Sequence, residues 1–394
     1  MRRKLRNFVT KIMYHLNYKF LMRNFILFES NPDYSDNCYY VFKECLNRNL
    51  NKKYKLIWLC SHYDKNIEYP KYRNVQFVDR SKFFRSLYYY FFSKYIVDCN
   101  SYIYKFNKNQ FRIHLTHGSP VKLLKDYWLG IGHVDYFIAE SDEWAKIIKD
   151  IYDNCKLIDN VYACGLPRND CFSQKKEALY FFPDMKREKT ILWLPTYRNH
   201  KSPNNKSNDS FNICDSSFPL GIPCFESVDE IKIVNDFLVK KNVLLVIKPH
   251  PAQDISVIKS INLSNIKLIN DDYFVDFTNL YHYLPSVDAL ITDYSSVYFD
   301  FLYADKPIGL AIPDLDIYRK HVKQPYKYEK TVVGEKILNC NDLISFIDNV
   351  FHNKDIMKKD RNKTRSLYCF KKDGMASKRV VDLLESRMDG HHEK

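Results

Sequence analysis

Short apolar runs alternate with helical stretches along almost the whole chain, and this alternation limits its fold more than any other feature. Val243 to Ile247 is the clearest run, with no polar residue on either face, and it follows a helix-period stretch from Val228 to Lys240. A segment apolar on both faces suits a strand covered on both sides, as in a parallel sheet with helices on each face. The pattern predicts strands at 25–28, 55–60, 75–78, 95–98, 112–116, 136–139 and 160–164, with helices near 35–47 and 81–93 and from Ser141. It predicts a second series of strands at 190–194, 243–247, 266–268, 289–292 and 307–310, with helices at 228–240 and 281–284 and, after the last strand, helices to about Asp360. At 394 residues the chain exceeds one ordinary core, so the two series are expected to form two α/β domains, over 25–185 and 186–365. A last helix, within 366–394, is expected to return to the first domain. The stretch 199–227, rich in Asn, Ser, Pro and Lys, reads as a loop long enough to act as a lid.

Composition narrows the partners. Lys and Arg number 61 against 47 Asp and Glu, a net charge of +14 that suits a phosphate-rich substrate, an anionic membrane or nucleic acid. The 11 cysteines show no C-x-x-C pair and read as scattered reduced thiols, not as a disulfide framework or a zinc site. No run of apolar residues is long enough to span a bilayer, and the basic N-terminus lacks the hydrophobic region and cleavage site of a secretory signal. Leu5, Phe8, Val9, Ile12, Met13, Leu16 and Phe20 instead follow helical spacing, with seven cations (Arg2, Arg3, Lys4, Arg6, Lys11, Lys19, Arg23) before Glu29. A basic amphipathic helix over 1–24 suits two roles equally: lying on an anionic membrane surface, or docking on the protein's own core. The aromatic cluster from Tyr88 to Phe92 reads as core.

Five polar motifs follow predicted strands, which is where ligands bind in open α/β sheets. In TDYSS, Ser295 and Ser296 precede a helix and offer hydroxyls and free N–H groups to a phosphate, or only a helix cap. In HGSPVK, Ser119 and Pro120 suit a helix start, while His117 at the rim is either a base for a hydroxyl proton or a hydrogen-bonded structural residue. GLPRND carries Arg168, a bidentate donor for phosphate or a partner for Asp170 or another carboxylate. LPTYR offers Thr196 and Arg198 to phosphate oxygens, although a surface arginine there would be equally ordinary. In KPHP, two prolines stiffen the loop around His250, next to Lys248.

Together with FESNPDYSDN (residues 28–37) and DGMASKRV (373–380), these motifs resemble the CDP-glycerol glycerophosphotransferases, which build teichoic acids and related capsular chains. The resemblance implies a glycosyltransferase-B type α/β fold, two Rossmann-like domains facing a central cleft, with the acceptor domain first and the nucleotide-donor domain second. It implies His117 and His250 as catalytic residues. It places donor binding at Thr292, Ser295 and Ser296, with Arg198, Thr196 and Lys248 added, and acceptor or phosphate contact at Arg168 and Lys122. No metal or other cofactor is expected. The implied partners are CDP-glycerol or a related CDP-polyol, a lipid-linked or oligosaccharide acceptor and an anionic membrane surface, with no nucleic acid. The implied location is cytoplasmic, on the inner face of the cell membrane. A glycosyltransferase of the same architecture using a UDP- or CMP-sugar is the alternative, followed by a non-catalytic basic protein binding nucleic acid or membrane. The polyol, and priming as against polymerisation, stay open.

Overall fold

The computed structural model describes residues 22–61, 63, 71–99, 105–123, 132–152, 157–174, 178–198, 218–251, 253, 255–274 and 278–389. The basic helix expected over 1–24 and most of the expected lid, 199–217, lie outside these residues, apart from Met22 to Asn24. The chain divides into two compact units. The first takes the described residues up to Ser119, those from 132 to Ser173, and those from Phe370 on; the second takes Pro120–Leu123 and Gln174–Cys369.

The first unit is built on a seven-stranded sheet. Its strands are β1 (Arg23–Glu29), β2 (Lys55–Cys60), β3 (Val75–Asp79), β4 (Ser93–Asp98), β5 (Phe111–His114), β6 (Val134–Ala139) and β7 (Ile158–Ala163). Their order is β3-β2-β1-β4-β5-β6-β7, and every neighbouring pair is parallel. Ile26, Leu27 and Phe28 are fully buried on both faces of β1, as a parallel sheet requires. The helix Ala376–Asp389 belongs to this unit. Asp170 caps it by accepting from the N–H groups of Ala376 and Ser377, both at 2.9 Å, and Arg48 reaches Asp382 and Glu385, both at 2.6 Å.

The second unit carries six strands: β8 (Lys189–Trp193), β9 (Val243–Ile247), β10 (Ile266–Leu268), β11 (Ala289–Thr292), β12 (Ile308–Ala311) and β13 (Glu335–Ile337). Their order is β10-β9-β8-β11-β12-β13, again parallel throughout. In both sheets the chain moves outward from a central strand and then returns to build the other side, so each has a point where strand order reverses. Trp193, Phe225, Ile247 and Phe346 belong to the core of this unit.

Three sequence expectations change. The division falls after Ser173 rather than at 185, because the connecting segment bonds into the second unit: Leu179 N–H to the His282 carbonyl at 2.7 Å and Phe182 N–H to the Tyr273 hydroxyl at 3.0 Å. Strand β13 stands where only helix was expected; three residues at a sheet edge carry too little pattern to register. Ser119 and Pro120 do not open a helix among the described residues; the chain stays irregular to Leu123, whose N–H bonds the Lys323 carbonyl at 2.8 Å.

Candidate active site

In the first unit the site grows from the turn after β5. Thr116 has φ of 55° and Gly118 φ of 117°. The first is costly for a β-branched residue and the second is reached readily only by glycine, so this sharp turn is held by its surroundings. Thr116 Oγ1 donates to the Gly118 carbonyl at 2.9 Å, and Asn37 Nδ2 donates to the Thr116 carbonyl at 2.9 Å. The turn lifts His117 out of the sheet, with its side chain 53% exposed.

One nitrogen of that imidazole is already committed. His117 Nδ1 contacts Asp36 Oδ2, and Arg168 Nη1 donates to the other oxygen, Oδ1, at 2.8 Å. Arg168 also donates to the His117 carbonyl at 3.2 Å, and its own N–H bonds Asn37 Oδ1 at 3.0 Å. Asp36 is buried at the first turn of the helix Asp36–Asn47. Burial alone would raise its pKa, but Arg168 and His117 outweigh that and hold the carboxyl well below the usual range. For His117 burial lowers the pKa, and the Asp36 carboxylate more than reverses this, pushing it up to about 10. Such an imidazole is a strong base once neutral, and it is mostly protonated at neutral pH.

Arg168 is therefore a structural partner of Asp36, not of Asp170, and is 2% exposed. Of the two sequence readings of Arg168, these contacts match the pairing with another carboxylate. Asp36 was not singled out from the sequence, where it reads as an ordinary helix-start acid; its φ of 57° is the local sign of something unusual. Cys99, at the end of β4, lies beside the same group and donates to the Thr116 carbonyl at 2.9 Å. Asp36, Cys99 and His117 bring ligand-type atoms within 4.8 Å of one another. Both Asp36 oxygens are committed, however, and burial pushes the Cys99 thiol well above its ordinary pKa. The group suits a hydrogen-bonded cluster better than a metal site.

In the second unit the site lies at the carboxyl ends of β8, β9 and β11. Arg198 occupies its middle and is 3% exposed. Its Nε and Nη2 donate to the two oxygens of Asp314 at 3.0 and 3.1 Å, and Nη1 donates to Asp293 Oδ2 and, at 2.7 Å, to the Thr196 carbonyl. The guanidinium carbon lies 5.0 Å from the centre of the Tyr294 ring, whose hydroxyl donates to Asp314 at 2.8 Å. Burial opposes the charge on Arg198, and the two aspartates hold it in place. Asp293 also accepts from Thr196 Oγ1 at 2.5 Å and from the Thr196 N–H at 2.9 Å.

These contacts correct two expectations. Arg198 is a buried clasp between LPTYR and TDYSS, with four contacts to protein acceptors in place of the exposed phosphate donor expected. Thr292 is fully buried and donates to the Leu194 carbonyl at 3.2 Å, so it has no face to offer a donor. Ser295 and Ser296 are the partly exposed members of the motif. Ser296 makes no side-chain cap bond, and Ser295 Oγ accepts from the Val297 N–H at 3.4 Å.

Three further cationic or titratable groups share this unit. His250 is exposed, its ring centre 5.3 Å from that of Tyr197. Burial, then Lys248 and Lys122, lower its pKa against the pull of Asp271, which favours the neutral imidazole. Lys248 pairs with Asp271 at 2.8 Å. Lys122 lies 5.9 Å over the Tyr318 ring, and burial, set against Asp293, lowers its pKa to about 8.

Comparison with known proteins gives the family and the fold. A family model described as CDP-glycerol:poly(glycerophosphate) glycerophosphotransferase matches residues 12–386. The chain is 26% identical over 304 residues to the teichoic acid poly(glycerol phosphate) polymerase of Bacillus spizizenii (strain ATCC 23059 / NRRL B-14472 / W23), covering 70% of each chain. It is 28% identical over 222 residues to the teichoic acid glycerol-phosphate primase of Bacillus subtilis (strain 168), covering 55% of this chain and half of that one. A structure of a histidine-to-asparagine variant of the wall teichoic acid polymerase TagF, soaked with CDPG, superposes with a TM-score of 0.71. It is 19% identical, covers 98% of this chain and 94% of that one, and shows a shared fold.

Proposed function

The chain belongs to the CDP-glycerol:poly(glycerophosphate) glycerophosphotransferase family, and on that premise we propose that it transfers a polyol phosphate, glycerol phosphate foremost, from a CDP-activated donor to an acceptor hydroxyl. It is a transferase by that membership. The observation that carries the mechanism is the half-exposed His117, its Nδ1 occupied by a buried carboxylate. With Nδ1 engaged, Nε2 is the nitrogen left to take the acceptor proton. The acceptor oxygen forms a bond to the polyol-side phosphorus. The bond from that phosphorus to the bridging oxygen breaks, and CMP leaves with the electron pair.

Donor binding falls to Ser295 and Ser296, with His250, Lys122 and Lys248 as the cationic and hydrogen-bonding groups around the phosphates. A neutral His250 can donate to a phosphate oxygen without adding fixed charge, while Lys122 supplies charge that is not fully balanced by its neighbours. Thr196 acts through Asp293 and not on the donor directly. In this reading Lys122, Lys248 and His250 would supply the charge and hydrogen bonds that a metal ion otherwise brings to the phosphates, so the transfer is proposed to be metal-independent.

The setting proposed is the inner face of the cell membrane, with a lipid-linked or oligosaccharide acceptor. Its support is the run of seven cations with interleaved apolar residues before Glu29. Among the described residues no helix is long and apolar enough to cross a membrane. The decisive test offers the protein CDP-glycerol, CDP-ribitol and a UDP-sugar with candidate acceptors. Release of CMP with a new phosphodiester supports the proposal, and release of UDP with a new glycoside overturns it.

A further inference from the structure

We propose that Asp36 is a positioning residue for His117, and that Arg168, bound to the other oxygen of the same carboxylate, sets how firmly the imidazole is held. The inference rests on the reading of His117 as the base. Its ground is the geometry of a single buried carboxylate shared by two partners. Asp36 Oδ2 meets His117 Nδ1, while Oδ1 accepts from Arg168 Nη1 and from the Asn37 N–H, both at 2.8 Å. Asp36 is 81 residues from His117 and 132 from Arg168, so three separate segments converge on one side chain. Arg168 grips the histidine's own carbonyl as well, at 3.2 Å, which ties the loop to the group that charges it.

Two consequences follow from the chemistry of imidazole. A neutral His117 donating from Nδ1 to Asp36 carries its lone pair on Nε2, so the carboxylate selects the tautomer that can accept a proton from substrate. The carboxylate also stabilises the imidazolium formed in the step, as a buried partner does wherever a histidine serves as base. Arg168 opposes that second effect. Its positive charge draws on the same carboxylate and lies near His117, which disfavours imidazolium and returns the base toward neutrality. The third group facing His117 is Cys99, from the end of β4, and its thiol stays neutral because burial disfavours the thiolate. The Asp36 carboxylate thus carries the negative charge paired with His117, and the positive charge of Arg168 is paired with the same carboxylate.

That opposition gives a test that a merely structural role would fail. Asp36→Asn keeps the shape, tolerates the left-handed backbone and removes the negative charge, so the His117 pKa falls by about one unit or more. Arg168→Gln removes the positive charge, so the same pKa rises. The full-length protein is labelled at its histidine rings, and the His117 resonance is identified by its loss in His117→Ala. The resonance is then titrated in each variant beside the pH profile of kcat/KM. The proposal expects opposite shifts in the two variants, with the acid limb of the rate profile moving the same way as each titration. It also expects turnover in Asp36→Asn to drop by about a hundredfold or more. Shifts of the same sign, or none, overturn it. Thermal melts check folding, and Arg168→Lys, which keeps the charge, should restore most of the wild-type titration if Arg168→Gln does not fold. Opposite titration shifts in an enzyme whose rate survives His117→Ala would overturn the catalytic reading while leaving the pairing supported, so the two failures are told apart.

Discussion

Replacing Arg198 by Met separates a clasp from a ligand. In the native protein the guanidinium neutralises Asp293 and Asp314, which are 1% and 4% exposed, and spans both with four contacts to side chains and main chain. Met fills much of the same volume and removes every donor, so the two carboxylates are left buried without their guanidinium, with Lys122 acting on Asp293. Removing one partner of a buried charge cluster costs about 3–5 kcal/mol, because the other partner's desolvation is no longer offset. For a domain the size of the second unit each kcal/mol lowers Tm by about 2–4 °C, which predicts a fall of roughly 6–20 °C. The loss should also depend on pH in a defined direction. With Arg198 gone, an unpaired buried aspartate has a folded-state pKa above its unfolded value near 3.9, so the folded variant binds more protons than the unfolded chain in that window. Its stability then falls as pH rises, and the deficit is larger at pH 8 than at pH 5. Scanning calorimetry of both proteins at the two pH values reads this directly. A variant that melts within about 2 °C of wild type but has a greatly raised donor KM would refute the clasp and restore Arg198 as a phosphate ligand.

Three other outcomes are expected. His117→Ala and His250→Ala should each lower turnover a hundredfold or more in a protein that still folds, with some loss of melting temperature in His117→Ala because Asp36 loses a partner; near-normal CMP release in either removes its role. The double change of Ser295 and Ser296 to Ala should raise donor KM more than acceptor KM, and an effect confined to the acceptor would overturn the placement of the donor. Lys122 has its pKa lowered to about 8, so it loses charge between pH 7 and 9 and donor KM should rise over that range; Lys122→Met should raise KM at pH 7 and flatten the trend, and a wild-type KM that stays level from pH 7 to 9 removes the lysine from donor binding.

The strands were legible because their apolar runs are local and continuous, and β9 reads identically in sequence and structure. What was not legible depends on residues far apart in the chain. Asp36 looks like a helix-start acid in isolation, and only contact with His117 and Arg168 turns it into part of a site. Arg198 read as a phosphate donor or an ordinary surface arginine, and Arg168 as a phosphate donor or the partner of a carboxylate. Nothing in the local sequence says which carboxylate lies beside each one. Asp293 is visible in the TDYSS motif, but its pairing with LPTYR requires β8 and β11 to be neighbours, which is a property of sheet order.

The two corrected arginines share a physical reason. A loop at the carboxyl edge of a parallel sheet must hold a defined shape if it is to place a hydroxyl or an imidazole to within a fraction of an ångström. A buried arginine does this well, because its planar fork fixes two acceptors at once and cannot lose its charge. Arg168 fixes the His117 turn through Asp36 and a carbonyl, and Arg198 fixes TDYSS through Asp293 and Asp314. On the proposed reading, the groups that meet substrate are the more accessible or titratable ones: two serines, two histidines and Lys122. In each unit a permanently charged clasp keeps its loop in shape whatever the protonation state of the titratable groups beside it.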